Sequence, residues 1–204
     1  MEDSIKIAAF WSWFSDHRSA LAELSDPEES LWDLALGRLK EIDAHLWFEL
    51  SASANPVREF IITAEGHTPA FHTVELLVEQ APSIAGWVFV ALKPPMGFSF
   101  VTSYEGMPFD PREMWFLPLE SESRPHDLGI RVGIAEFDSL DQRQACNAVL
   151  VILDTGLGER SAALDICHVE VAELPADPEP AGYIELCELA DYIEWRKTKL
   201  GPSP

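Results

Sequence analysis

The apolar residues of this chain change their period partway along it, and that change limits the fold more than any other feature. Over residues 5–24, Ile7, Phe10, Trp11 and Phe14 recur at the i, i+3, i+4, i+7 spacing, with Leu21 and Leu24 beyond them. This spacing predicts a helix that buries an aromatic stripe. A second helix is announced by Asp26 as a cap, Pro27 at the first helical position and Glu29 where a capping box wants a carboxylate. Its apolar arc is Leu31, Trp32, Ala35, Leu39 and Ile42. After it the period falls toward two. Residues 46–52 and 57–64 are short β-prone runs separated by the turn-forming Ser53-Ala54-Asn55-Pro56, which predicts a hairpin.

The remainder alternates. Thr68 and Pro69 open a third helix, which runs to about residue 80 and is ended by Pro82. Residues 87–92 are apolar on both faces, as expected of an interior strand covered on each side. Residues 93–111 hold Pro94, Pro95, Gly97, Gly106, Pro108 and Pro111, and read as an irregular, aromatic-rich excursion. Strands are expected over 113–119 and 128–135. In the second, Leu128, Ile130, Val132 and Ile134 alternate with Gly129, Arg131, Gly133 and Ala135. Ser139 and Gln142 predict the start of a helix whose buried stripe is Cys146, Val149, Leu150 and Leu153, and Gly156 its close. A strand over 163–172 and a last helix over 183–197 complete the reading, with 201–204 a frayed tail. This order predicts an α+β fold: a mixed or largely antiparallel sheet of five to six strands, helices packed on it, and an N-terminal helical pair. One domain over 1–204 is the expected organisation, and a division near residue 100 is the alternative.

Composition then restricts function. With 35 acidic against 14 basic side chains the formal charge is −21. Nucleic acid and anionic membrane surfaces are repelled by such a chain, and its acidity serves either solubility, the commoner reason for such a charge, or recognition of a basic protein partner. Cys146, Cys167 and Cys187 are widely spaced and odd in number, with no C-x-x-C pair. Neither a disulfide framework nor a zinc knuckle is expected, and a reducing cytoplasm fits. The opening Met1-Glu2-Asp3 lacks the basic region and unbroken apolar stretch of a signal peptide, so none is expected, and the apolar run 148–153 is too short to span a bilayer.

Candidate chemistry gathers on the C-terminal strands. Glu159 and Arg160 follow Gly156-Leu157-Gly158, where a turn can present a base and an anion clamp. The structural alternative is a helix cap with surface charges, and the phosphate-loop spacing is absent. His168 and Glu170, two apart on a strand, share a face. Without a third or fourth ligand at metal spacing they predict no metal, and no cofactor is expected. Arg131 lies between Gly129 and Gly133, where missing side chains let a ligand or another backbone approach; an ordinary salt bridge is the alternative. No nucleophile elbow occurs, and Cys146 falls on a helix stripe expected to be buried.

Several segments carry a resemblance: Phe10-Trp11-Ser12-Trp13-Phe14, the strand Arg58-Glu59-Phe60-Ile61-Ile62-Thr63-Ala64, the passage from Ala81-Pro82 to Trp87-Val88-Phe89, and Leu157-Gly158-Glu159. Over most of its length the chain resembles a group of uncharacterised bacterial proteins. The resemblance implies a bacterial cytosolic origin and supplies no catalytic residues. Two functional classes stay open. One is a non-enzymatic interaction protein for a basic partner, such as an immunity-type inhibitor. The other is an enzyme or small-ligand binder built from Glu159, Arg160, His168, Glu170 and Arg131.

Overall fold

The computed structural model describes residues 2–25, 30–52 and 57–201. The architecture is α+β, and the chain divides into two compact units, Met1–Pro94 and Pro95–Pro204. Among the described residues, the strands expected in one sheet of five to six are distributed over three sheets of three, two and four strands.

The first unit contains α1 (Glu2–Glu23), α2 (Ser30–Lys40), β1 (Trp47–Leu50), β2 (Arg58–Thr63), α3 (Phe71–Glu79) and β3 (Trp87–Ala91). Its sheet has the order β1-β2-β3, with β1 antiparallel and β3 parallel to β2. A parallel neighbour requires a crossover, and a 3₁₀ turn over Thr68–Ala70 followed by α3 supplies it. The aromatic stripe of α1 packs on the sheet. Ring centroids of Phe14 lie 5.0 Å from Phe60 and 4.9 Å from Trp87, and that of Trp11 lies 4.5 Å from Phe89. The Trp11 indole N–H donates to the Leu77 carbonyl of α3 at 2.9 Å. Each buried ring is worth about 2–3 kcal/mol, so this cluster is a main source of the unit's stability. Residues 87–92, expected inside a sheet, form an edge strand instead, with Val88 44% exposed. Its valines reflect the fit of β-branched side chains to a strand, not burial on both faces. The predicted cap at 26–29 and turn at 53–56 lie outside the described residues.

Arg58, the first residue of β2, is buried and donates from Nη1 to the carbonyls of Leu21 (3.0 Å), Ala22 (2.7 Å) and Leu24 (2.8 Å). Its Nη2 donates to Ser51 O at 2.7 Å. The last carbonyls of a helix have no partner inside it, so this one guanidinium closes α1 and ties it to the sheet.

The second unit begins with a short hairpin, β4 (Thr102–Tyr104) and β5 (Met107–Phe109). It continues through β6 (Trp115–Leu119), β7 (Gly129–Ile134), α4 (Gln142–Leu157), α5 (Glu159–Asp165), β8 (His168–Glu173), β9 (Ile184–Glu185) and α6 (Leu189–Leu200). The four-stranded sheet runs β8-β7-β6-β9, with β6 antiparallel to β7 and β7 parallel to β8. Both units thus repeat one connectivity, an antiparallel pair followed by a helical crossover to a parallel strand. Phe116, Ile130, Val132, Ile152 and Ile193 are at the centre of the second core. Most of the aromatic excursion belongs to it: Phe98 and Phe109 are buried there beside Met114, with Phe100, Tyr104 and Met107 packed against the cluster.

Local signals are displaced at three points. The cap of α4 is Asp141, whose carboxylate accepts from Gln144 N at 3.0 Å, while Ser139 donates to Glu136 O. The chain leaves α4 at Gly158, with φ +77°, and not at Gly156. Gly156 stays helical because the Phe98 ring occupies the place of a Cβ, and the amides of Met96 and Gly97 cap the carbonyls of Thr155 and Gly156 at 3.0 and 3.1 Å. Residues 159–165, read partly as strand, continue as α5. The last helix starts at Leu189, since Ile184 and Glu185 pair with β6. Arg58→Met should lower unfolding stability by about 3 kcal/mol with an unchanged urea m-value, because four buried or half-buried carbonyls lose a charged donor. A loss below about 1 kcal/mol in urea titration would show that water replaces the guanidinium.

Candidate functional site

Parallel pairing of β7 with β8 sets Arg131 directly across from Glu170. The Arg131 Nε donates to Glu170 Oε2 at 2.8 Å, and His168 Nε2 lies 3.2 Å from Glu170 Oε1. His168 precedes Glu170 by two residues, so the pleat puts both side chains on one face. Three of the five candidate side chains therefore form a chain centred on one carboxylate. They are partly open to solvent, with side-chain exposures of 39% for Arg131, 40% for Glu170 and 58% for His168.

The glycines flanking Arg131 do provide room, and the protein itself fills it. A Cβ at Gly133 would meet Leu174 Cδ1 at 2.6 Å and Tyr183 Cε1 at 3.1 Å; one at Gly129 would meet Leu119 at 3.2 Å. The hydrogen bond from Arg131, then that from His168, holds the Glu170 carboxyl below its ordinary range. The bond to Glu170 likewise raises Arg131.

Glu159 and Arg160 belong to a different element, opening α5, the helix that precedes β8. Glu159 is fully buried and Arg160 exposed, and both residues have interaction partners. The Gly156–Gly158 turn leads from one helix into another, not from a helix to a strand. Cys146 is half-buried, less enclosed than its stripe position suggested, and Cys167 and Cys187 are exposed.

One juxtaposition has no sequence signal at long range. In the first unit the rings of His45 and His67 stack at 3.8 Å and 13°. Asp43 accepts from the His45 amide at 2.8 Å and faces His45 Nδ1 at 3.0 Å, and the amide bond is the main cause of its lowered pKa. Only the local Asp-x-His spacing could have been read, as an Asx turn. Among the described residues no group of three or more His, Cys, Asp or Glu side chains could hold a metal ion, and no helix is long and apolar enough to cross a membrane.

A carboxyl whose folded pKa is depressed contributes stability above its unfolded value and loses it as pH falls through the folded one. Glu170→Gln should therefore slightly lower the thermal midpoint at neutral pH, and the gap from wild type should close as pH falls below the ordinary value of 4.5. Calorimetry across the acid range checks this, and an equal gap in acid and at neutrality refutes it. No family model matches the chain, and neither a curated protein nor a solved structure matches it.

Proposed function

We propose that this chain is a non-enzymatic interaction protein that engages a basic protein partner, an immunity-type inhibitor being one concrete form. The observation that carries the reading is the charge of −21 together with the way the few cations are used. In the second unit Arg112 pairs with Asp110, Arg124 with Asp127, Arg131 with Glu170, and Lys197 with Asp165 and Glu194. Arg196 is buried against backbone carbonyls. Cations neutralised at short range leave an outward field dominated by carboxylates, which steers a basic partner and repels polyanions.

The rival reading, an enzyme or small-ligand site on the C-terminal strands, draws on the convergence of Arg131, Glu170 and His168. Against it, both Glu170 oxygens are already engaged and the space beside Arg131 is filled by Leu174 and Tyr183. A carboxylate engaged at both oxygens supports a sheet more readily than it receives a substrate.

Partners captured from cell extract on the immobilised chain should be enriched in basic proteins. Association rates of a captured partner should fall by about tenfold between roughly 0.05 and 0.5 M salt, with dissociation rates changing far less. Rates indifferent to salt, or capture without basic enrichment, would sink the proposal.

A further inference from the structure

A cavity of about 630 Å³ lies in the second unit between the end of α5, the last turns of α6 and the loop entering β7. Small-molecule sites occupy roughly 300–1,000 Å³ and combine an apolar lining with a few placed polar groups. Here the apolar part is Leu128 and Ile193, both buried, with Leu200 and Leu164 beside them. Leu164 is 55% exposed, an open apolar surface at the cavity that a ligand's hydrocarbon would cover.

The polar part is cationic in a chain that is otherwise acidic. Arg196 and Lys197 line the cavity with Asp165 as the carboxylate. Arg196 is only 8% exposed and its Nε has no hydrogen-bond partner among the described residues. Lys197 Nζ donates to Asp165 Oδ2 and to Glu194 Oε1, each at 2.9 Å. These carboxylates differ. Asp165 is 18% exposed and also accepts from Ser161, whereas the Glu194 side chain is 73% exposed, on α6 outside the cavity lining. Glu194 is thus an exposed carboxylate on a lysine that lines the cavity.

We propose that this cavity binds an amphipathic monocarboxylate, its hydrocarbon against Leu128, Leu164, Ile193 and Leu200 and its carboxylate on Lys197 Nζ in the place of Glu194. The overall negative charge does not prevent this, because charges beyond about 8 Å are largely screened at physiological salt while the ammonium acts at contact distance. The exchange swaps one carboxylate for another at Lys197, so no uncompensated charge is buried. The site does not depend on a protein partner.

Octanoate is the probe, titrated into the full chain and followed by calorimetry and by methyl NMR of Leu164, Ile193 and Leu200. The expected result is saturable one-to-one binding with a dissociation constant of about 1 mM or tighter, with octanol and octylammonium at least about tenfold weaker. Lys197→Met should weaken octanoate by about tenfold, and Lys197→Gln is the substitute if that variant does not fold. Glu194→Gln should tighten it by about threefold, since it removes the internal competitor. Equal binding of octanol or octylammonium, unchanged affinity in either Lys197 variant, an unchanged or weaker affinity in Glu194→Gln, or methyl groups unmoved by octanoate would each overturn the proposal.

Discussion

Two buried arginines organise this protein, one in each unit, and both donate to backbone carbonyls. Arg58 gathers three carbonyls from the end of α1 and a fourth from Ser51. Arg196 gathers those of Pro125, His126 and Asp127, the residues that lead into β7. Backbone oxygens at helix ends and in loops all need donors, and a guanidinium brings several in one plane without risk of losing its proton. Burial pushes the Arg58 pKa down from its usual value, and the side chain stays charged. Its place at the start of β2 thus sets where α1 meets the sheet, and Arg196 does the same for α6 and β7.

What could be read in the sequence follows from how local each signal is. The α1 stripe was legible because Ile7, Phe10, Trp11 and Phe14 report one helix face, and all four are buried. The alternation over β7 was legible for the same reason, with Ile130 and Val132 fully enclosed. Long-range partners were not. Tyr183 and Leu186 carry a helical spacing, but strand pairing with β6 takes the segment before a helix can form. The opposition of Arg131 to Glu170 depends on the register of a parallel pair, which a crossover of two helices sets. His45 and His67 meet because two separate loops end side by side, and nothing within either loop announces it.

A chain with few cations also spends them differently from one with many. Surface ion pairs contribute little to stability, so the exposed pairs of Arg112 and Arg124 chiefly reshape the field around the protein. The buried arginines act on the backbone, where a lost donor strands several acceptors at once. Substituting a base here therefore has two separable outcomes, altered association kinetics for exposed positions and altered folding for enclosed ones.

Phe98 and Gly156 illustrate a different kind of dependence. The ring lies where residue 156 would carry its first side-chain carbon, and the backbone just before it closes the end of α4. Neither residue can be interpreted alone: the glycine, costly within a helix, is the socket and the phenylalanine the plug. Across a lineage of such chains the two positions would drift as one character, a bulkier residue at 156 arising only where the ring at 98 had already been given up.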